Sequence, residues 1–407
     1  MRIAYLAPEF VPPWGGVGVY STHLIKELSK YRDMEIHVFT PVRGEGYDKK
    51  KVEAMFGGRV KIFNISVARD EFVYNLIFQY NVAKQLPEFH RKYHYDIIHA
   101  ANLVHMPDIF LKFRELDARF VVTAHTTIEG QLRGLVSKNK GLFHLAPSEK
   151  GSVIAFPYIW LMEQLYLRKT GYMISVSHRS RQEFIASGFK GRITTIHNGT
   201  DTSLFNSRLS KENAHKLFPQ LKGKKNLVLY AGRLISQKGI RIFIEMASRL
   251  SGRGIHFVIA GNGDVNGLKR LIKKYSLKES EYSFLGFVKN TDMGSLYRLC
   301  SVFVLPSYSE NLPISIIEAM SCGCVPIASD VGAVREIIRD GIDGFTVMPG
   351  DVEGLLHLTS YIVENRQLRR AMADEGSRRA RERFSVRMMA RKTREFYEMM
   401  INENPAS

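Results

Sequence analysis

Two pairs of charged residues in the second half of the sequence have the types and spacing to bind a phosphorylated ligand. Glu310 and Glu318 lie within the segment 305–327, and Arg233 and Lys238 follow an apolar run earlier in the chain. Carboxylates accept hydrogen bonds from hydroxyl groups, and paired cations neutralise a diphosphate as it leaves. An alternative without a ligand fits the two glutamates equally well. Glu310 is then a solvated loop residue, and Glu318 is a residue near the start of a helix that only favours the helix dipole. For Arg233 and Lys238, the alternative is that they are exposed cations of a basic protein and bind no diphosphate.

The segment around the glutamates predicts a strand, a loop and a helix in that order. The apolar run Val302–Leu305 predicts a buried strand, and Pro313 suits the first position of a helix because its missing N–H costs nothing there. Glu310 then lies in the loop and Glu318 in the helix, so both face one ligand at the helix N-terminus. Open α/β sheets bind ligands at this edge, and the free N–H groups of a helix suit a phosphate.

Strand-like and helix-like segments alternate along the chain, which predicts an α/β fold of parallel sheets covered by helices. A polar, lysine-rich stretch over residues 206–226 interrupts the alternation. We therefore expect one domain over residues 1–205 and a second over residues 206–384. A last helix over about 385–403 should bury an apolar face. The members of that face are Met389, Phe396, Tyr397 and Met400.

The composition predicts a basic protein with reduced thiols. Lysine and arginine number 58 against 40 aspartates and glutamates, and the net charge of +18 suggests nucleotide diphosphates, an acidic membrane surface or nucleic acid as partners. Three cysteines without metal-site spacing favour packed thiols in a reducing compartment. No apolar run approaches the ~18 residues of a membrane span, and the N-terminus is typical of a strand rather than a signal peptide. We therefore expect a cytoplasmic protein.

The segment Glu310-x7-Glu318, followed by Ala-Met-Ser-Cys-Gly-Cys-Val-Pro, resembles the signature of retaining group 1 glycosyltransferases that use nucleotide sugars. Glycogen synthases, sucrose synthases and mannosyltransferases belong to this family. Asn311 stands where the family often has glycine, and asparagine also tolerates unusual backbone angles. Further landmarks occur in the family's order from Pro12 to the last helix. The resemblance implies the GT-B fold, in which two Rossmann-like domains with mostly parallel sheets face a central cleft and the last helix crosses back to the first domain.

The resemblance also implies a donor site in the second domain. Arg233 and Lys238 would bind the diphosphate, Glu310 would contact the donor sugar, and Glu318 would hold the ribose hydroxyls. The glycine at 263 is explained equally well by a tight turn. The other residues implied at the donor site, which border the nucleotide or its base, are Gly263, Val288 and Leu312.

In the first domain, the resemblance points to Gly15, Gly16 and His125. The glycine-rich segment 12–18 does not fit a dinucleotide fingerprint, because its glycines come too late after the first strand. The double glycine matches the family's loop that approaches the donor phosphate. His125 follows a predicted strand, where it could donate a hydrogen bond to the sugar or the leaving phosphate. The alternative is that His125 forms its hydrogen bonds within the fold and contacts no ligand.

Together these features predict transfer of a hexose from a nucleotide diphosphate sugar to a hydroxyl group of a glycan or lipid-linked acceptor. The resemblance implies retention of configuration and no metal or other cofactor. The residues expected to act catalytically are Glu310, His125, Arg233 and Lys238. The leaving diphosphate itself would take the acceptor's proton.

The expected partners are the nucleotide sugar, the acceptor and an anionic membrane. The protein would bind peripherally at the inner face of that membrane. No nucleic acid partner is expected. Two alternatives stay open. One is an epimerase or a phosphorylase on the same fold. The other is a basic protein that coats RNA or membrane, although the grouping of Arg233 and Lys238 with Glu310 argues against phosphate contacts spread over a surface.

Overall fold

The computed structural model describes residues 1–12, 15–43, 47–68, 73–127, 129 and 147–403. The chain divides into two compact units, one of Met1–Gly199 with Val386–Ser407 and the other of Thr200–Ser385. Each unit is built on its own parallel sheet.

The described strands and helices alternate as the sequence predicts. The strands are β1 (Arg2–Leu6), β2 (Glu35–Val42), β3 (Val60–Val67), β4 (Ile97–Ala100), β5 (Arg119–Ala124), β6 (Tyr172–Ser175), β7 (Arg192–Thr195), β8 (Leu227–Ala231), β9 (His256–Ala260), β10 (Tyr282–Gly286), β11 (Val302–Leu305), β12 (Val325–Ser329) and β13 (Phe345–Val347). The helices are α1 (Gly15–Leu28), α2 (Lys49–Ala54), α3 (Val73–Tyr93), α4 (Pro147–Arg168), α5 (His178–Ala186), α6 (Lys211–Leu217), α7 (Ile240–Arg249), α8 (Val265–Tyr275), α9 (Asn290–Leu299), α10 (Ile314–Ser321), α11 (Val334–Ile337), α12 (Val352–Glu364), α13 (Arg366–Arg383) and α14 (Val386–Asn402).

The boundary between the units lies after Gly199, earlier than the predicted boundary after residue 205. Thr200 donates its backbone N–H to the carbonyl of Phe384 at 2.8 Å, and Phe205 is buried beside Tyr297. Residues 200–205 therefore belong to the second unit. The polar stretch that follows forms the exposed α6 region of that unit, so solvent exposure explains its composition.

The sheet of the first unit has the order β3-β2-β1-β4-β5-β6-β7, with helices on both faces. Alternate residues of β1 point to opposite faces. Ile3 and Tyr5 join the core beneath α1, α2 and α14, whereas Ala4 and Leu6 join the core beneath α3. Because crossovers between parallel strands are right-handed, α4 lies on the same face as α3.

The last helix, α14, packs on the first unit, as predicted. Its four predicted inward residues are all buried in the core that includes α1. Tyr397 shows how deeply the helix is embedded, because its hydroxyl contacts His99 of β4.

The sheet of the second unit has the order β10-β9-β8-β11-β12-β13. The central strand β8 lies between β9 and β11, although β11 is three strands later in the sequence. This order brings the loops at the carboxyl ends of β8, β9 and β11 together. The sequence did not indicate β13, because its three residues are too few to form a pattern and two of them are only partly buried.

The three cysteines are buried and unpaired, which agrees with the prediction of packed thiols. Burial raises the pKa of each thiol above its ordinary value, so the thiols are neutral. Among the helices of the described ranges, none has both the length and the apolar character required to cross a bilayer.

Candidate functional site

Lys238 and Glu310 form an ion pair at the carboxyl edge of the second sheet. Lys238 Nζ lies 2.6 Å from Glu310 Oε1, and Ser307 Oγ donates to the same oxygen at 2.8 Å. The side chain of Glu310 is 9% exposed and that of Lys238 is 26% exposed. The pair is thus largely shielded from water, yet the cation still reaches solvent. A shielded pair with one open side is suited to receive an anionic ligand that competes for the lysine.

Direct backbone contacts hold the two loops that carry this pair together. Tyr308 donates its backbone N–H to the carbonyl of Gln237 at 2.8 Å. Gly239, which follows Lys238, has a positive φ of 71°, and a Cβ atom there would overlap the carbonyl of Pro306. Only glycine therefore allows the loop after β8 to approach the loop after β11 so closely.

Arg233 lies on the same loop as Lys238, immediately after β8. Tyr230 Oη donates to the carbonyl of Arg233 at 2.9 Å, which fixes the start of the loop. The Arg233 side chain is exposed, and within the described ranges its guanidinium has no ion-pair partner. An exposed guanidinium on the same loop as a lysine, at one sheet edge, is suited to bind a diphosphate.

Glu318 is buried in α10, where its side chain contacts Tyr297. Pro313 precedes this helix as its cap residue, one position before the predicted one. Only 7% of Glu318 is exposed, and Tyr297 Oη lies 3.5 Å from its Oε2. Burial raises the pKa of Glu318 to about 7, and the hydrogen bond from Tyr297 partly opposes this shift. Much of this carboxyl is therefore protonated near neutral pH.

The buried carboxyl predicts a specific pH dependence of stability. Because the folded pKa lies above that of the unfolded chain, the stabilising proton is present at low pH and is lost as the pH rises through about 7. Between about pH 5.5 and about pH 8, the wild-type free energy of unfolding should fall by about 2 kcal/mol relative to Glu318→Gln. Urea unfolding followed by circular dichroism measures both proteins.

Glu88→Gln is the matched control, because Glu88 is exposed on α3. This control should track the wild-type protein at both pH values. A constant difference between wild type and Glu318→Gln across the pH range would contradict a buried, neutral carboxyl.

Three further predicted donor-site residues lie in the second unit. Gly263 has a φ of 131°, and a Cβ atom there would lie 3.1 Å from the backbone nitrogen of Leu234. This close approach to the loop that carries Arg233 explains the glycine, and its contact with a nucleotide stays a prediction. Val288 is half-buried after β10, and Leu312 is buried two positions after Glu310.

In the first unit, His125 lies directly after β5. Its ring packs edge-on against Tyr20, with centroids 4.7 Å apart. Burial lowers the pKa of His125 to about 4, and a hydrogen bond to the carbonyl of Ala101 only partly opposes this shift. His125 Nε2 has no hydrogen-bond partner among the described residues, so the nitrogen that donates to Ala101 is Nδ1. The buried Nε2 therefore carries no proton and is an acceptor, whereas the sequence predicted that this histidine would donate.

Gly15 and Gly16 lie in the first turn of α1. Gly16 is exposed, and a Cβ atom there would meet no atom within 4 Å. Local packing therefore does not require this glycine. An open helix N-terminus leaves space for a ligand to approach the backbone, and contact with the donor phosphate stays a prediction.

Sequence reasoning missed three polar residues that the fold places at the edges of the two sheets. Ser307 donates to Glu310, as described above. In the first unit, Glu9 follows β1 and His105 follows β4, and Glu9 Oε1 lies 3.8 Å from His105 Nε2. Their positions soon after the ends of two neighbouring strands were the signal that could have found them.

Two family models match the two halves of the chain. Residues 14–204 match the model of glycosyltransferase family 4, and residues 211–379 match the model of glycosyl transferases group 1. A glycosyltransferase of Methanocaldococcus jannaschii whose activity is uncharacterized is 25% identical over 98% of this chain and 99% of its own length. The alpha-D-kanosaminyltransferase of Streptomyces kanamyceticus is 33% identical over 37% of this chain and 40% of its own length.

Solved structures share the two-domain fold. Sucrose-phosphate synthase from Thermosynechococcus elongatus matches with a TM-score of 0.80 at 18% identity, over 98% of this chain and 99% of its own. HepE of Anabaena, solved with UDP and glucose, matches with a TM-score of 0.72 at 23% identity over the same shares. These matches confirm the predicted GT-B fold.

Proposed function

This chain belongs to the group 1 glycosyltransferases with the GT-B fold, and we propose that it transfers a hexose from a nucleotide diphosphate sugar to an acceptor hydroxyl. The Lys238–Glu310 pair is the observation that carries the proposal. Its cation suits the diphosphate and its carboxylate suits the hydroxyl groups of a sugar, and the two atoms are 2.6 Å apart. A ligand that contains both a diphosphate and a sugar can therefore contact Lys238 and Glu310 at the same time.

The proposed mechanism uses protein cations at the leaving group and requires no metal or other cofactor. Arg233 and Lys238 neutralise the charge that grows on the diphosphate as its bond to the sugar breaks. In this mechanism His125 accepts a hydrogen bond from a sugar hydroxyl through Nε2, which is buried and has no hydrogen-bond partner among the described residues. The departing diphosphate takes the acceptor's proton on the same face of the sugar, which produces retention of configuration.

A screen of radiolabelled UDP-, GDP- and ADP-sugars against a lipid extract tests this function. UDP-glucose is the first donor to try, because HepE of Anabaena was solved with UDP and glucose. Transfer of label to an acceptor is expected from at least one donor, and the anomeric coupling constant of the product reports its configuration. A new sugar nucleotide formed without an acceptor would instead identify an epimerase, and absence of transfer from every donor would contradict the proposal.

We further propose that the first unit docks on an anionic membrane, where a lipid-linked acceptor is reached. The aromatic stretch over residues 72–80 is only partly exposed: Phe72 lies outside the described residues, and Tyr74 and Phe78 are buried. The exposed side chains of α3 nevertheless form an apolar stripe at helical spacing. Its members are Val73, Leu76, Ile77 and Tyr80.

A second exposed stripe lies on α4, on the same face of the sheet. Tyr158, Leu161 and Leu165 are 67%, 51% and 40% exposed. Both stripes run into exposed basic residues, Lys84 on α3 and Arg168 on α4. Apolar stripes with basic ends suit an anionic membrane, where each basic residue contributes ~1 kcal/mol.

Flotation with phosphatidylglycerol-containing vesicles and with pure phosphatidylcholine vesicles, each at two salt concentrations, tests the docking surface. Wild type should float with the anionic vesicles and less so at high salt. The double variant Leu76→Glu/Tyr80→Glu should lose most of this binding, because it places carboxylates on the stripe. Leu217→Glu is the control, since Leu217 is also an exposed apolar residue but belongs to the second unit. Equal binding to both vesicles, or full binding by the double variant, would contradict the proposal.

A further inference from the structure

A cavity of about 580 Å³ opens at the amino edge of the first sheet. Phe120 lies near the start of β5, and Lys169 lies just before β6, so the cavity opens where these two parallel strands begin. His125 follows the opposite end of β5. Because a strand rises about 3.3 Å per residue, the cavity is roughly 15 Å from that end. A ligand in the cavity would therefore leave the carboxyl edge of the sheet free.

Lys112 is a buried cation on the wall of this cavity. Its side chain is 3% exposed, and Nζ lies 3.3 Å from Asp108 Oδ2, whose side chain is 1% exposed. Nζ also lies over the rings of Tyr166 and Phe120, 4.5 Å and 5.3 Å from their centroids. Tyr166 Oη in turn donates to Asp108 Oδ1 at 2.6 Å. These contacts fix the ammonium group in place, which lowers the entropy cost of binding a ligand there.

The ion pair between Lys112 and Asp108 leaves hydrogen-bonding capacity unused. Asp108 Oδ2 accepts no hydrogen bond in the part of the chain that the structure describes. Over the same residues, Lys112 Nζ donates none. An ammonium group carries three N–H donors, and a buried donor without an acceptor is costly. A ligand with anionic oxygens would supply acceptors from the cavity.

Two exposed cations line the cavity together with Lys112. Arg114 follows the 3₁₀ turn Leu111–Phe113, and Lys169 follows α4. Neither side chain has an ion-pair partner among the described residues. Three cations from two separate segments therefore surround one space. Phosphate oxygens suit such a cluster, because they accept several charge-assisted hydrogen bonds at once.

The rest of the lining differs from that of a simple anion site. Glu115 and Asp117 place exposed carboxylates on the cavity, and Leu116 and Phe120 give it an apolar wall. Carboxylates repel a phosphate, but they accept hydrogen bonds from hydroxyl groups. An apolar wall with a few polar groups is typical of small-molecule sites. The lining therefore favours a ligand that carries a phosphate at one end and hydroxyl groups on a compact ring.

We propose that this cavity is a second ligand site, which binds a phosphorylated sugar or polyol. Lys112, Arg114 and Lys169 donate to the phosphate. Glu115 and Asp117 accept from the hydroxyl groups. The volume suits such a ligand, since small-molecule sites span ~300–1,000 Å³. The site lies outside the donor and acceptor chemistry proposed above and does not depend on it.

Isothermal titration calorimetry on the intact chain tests the site. The probes are glucose 6-phosphate, mannose 6-phosphate and myo-inositol 1-phosphate, with glucose and inorganic phosphate as the separate halves of the ligand. At least one phosphorylated probe should bind roughly tenfold more tightly than either half, and less tightly at high salt. Excess UDP should not displace it. Absence of binding by every phosphorylated probe, equal binding of inorganic phosphate as an adventitious ion only, or displacement by UDP would overturn the proposal.

Variants of the three cations assign the binding to the cavity. Arg114→Gln and Lys169→Gln should each weaken the bound probe by roughly fivefold, because each removes a solvent-screened contact with the phosphate. Lys112→Met should weaken it by roughly tenfold or more, because that contact is buried. The two exposed variants decide the test if Lys112→Met does not fold, since methionine leaves Asp108 buried without its cation.

Lys50→Gln and Arg32→Gln are the matched controls. They remove exposed cations elsewhere in the same unit and should bind the probe like wild type. Equal weakening by the controls and by the Arg114 and Lys169 variants would attribute binding to net charge and would overturn the proposal.

Variants of the two carboxylates separate a sugar phosphate site from a simple anion site. In Glu115→Ala and Asp117→Ala, the affinity ratio of the phosphorylated probe to inorganic phosphate should fall by roughly fivefold, because the hydroxyl acceptors are lost. The repulsion between carboxylate and phosphate affects both ligands and cancels in this ratio. An unchanged ratio in both variants would contradict the assigned hydroxyl contacts.

The same phosphorylated polyol chemistry occurs in free sugar phosphates and in the head group of phosphatidylinositol. Flotation with phosphatidylinositol vesicles distinguishes the two sources. If the Arg114 and Lys169 variants lose the soluble probe and still float like wild type, the ligand is a free sugar phosphate. If they also lose flotation, and glucose 6-phosphate releases wild type from the vesicles, the ligand is the lipid head group.

Discussion

Replacing Glu310 by alanine should lower kcat at saturating donor by roughly two to three orders of magnitude. The contact between this carboxylate and the sugar is expected to strengthen as the sugar separates from the diphosphate. The same change should not weaken affinity for the bare nucleoside diphosphate, because that ligand has no sugar. The structure sharpens this expectation. Glu310 pairs with Lys238 at 2.6 Å, so removing the carboxylate releases the lysine and should tighten diphosphate binding.

Glu318 provides the contrast within the same segment. Its side chain is buried in α10, and it is the residue expected to bind both ribose hydroxyls. Glu318→Ala should therefore weaken the sugar nucleotide and the bare nucleotide alike. Affinity of wild type for the bare nucleotide should also rise as the pH increases through about 7, because ionisation improves the carboxyl as an acceptor.

Calorimetry with the bare diphosphate, together with donor-saturation kinetics, separates the two glutamates. If Glu310→Ala abolishes binding of the bare nucleotide and Glu318→Ala spares it, the assigned roles are reversed. If neither variant changes affinity or rate, the segment is not part of the donor site.

Arg233→Ala and Lys238→Ala should each weaken binding of the nucleoside diphosphate by roughly 1.5–3 kcal/mol, because each removes a charge-assisted hydrogen bond. Transfer should slow by at least as much, since charge grows on the diphosphate as it leaves. The loss of binding free energy in the double variant should be smaller than the sum of the two single-variant losses, because the two cations share one ligand.

Arg249→Ala is a suitable control for these cationic variants. Arg249 is an exposed arginine of the same unit, and it pairs with Glu353 on α12. The control should bind the diphosphate like wild type. Strictly additive single-variant effects, or unchanged affinity in both single variants, would count against a shared diphosphate site.

The sequence determined the secondary structure and the local setting of the glutamates. Strand β11 has the predicted limits, because it is a continuous apolar run buried on both faces of a parallel sheet. The placement of Glu310 in a loop and Glu318 in a helix followed from Pro313 and the apolar spacing after it. These features depend on neighbours within a few positions, which a single sequence displays.

The contact between Lys238 and Glu310 depended on sheet order. The two residues lie far apart in sequence, and they meet because β8 pairs with β11. Helical crossovers place strands side by side without regard to their order in the chain, so no local pattern encodes the pairing. The resemblance to a known family indicated both residues, but their ion pair became visible only in the structure.

Tertiary structure alone decided which protons the polar side chains carry. The sequence shows a histidine at 125 and another at 105, with nothing to distinguish them. In the fold, His125 donates from Nδ1 to the carbonyl of Ala101, so its proton lies on Nδ1. His105 instead accepts from Asn102 at Nδ1, so its proton lies on Nε2. Burial then shifts the pKa of Glu9 and Glu318 to about 7. Desolvation and hydrogen-bond direction arise from atoms brought together across the whole unit, so they follow from the packing and not from residue type or spacing.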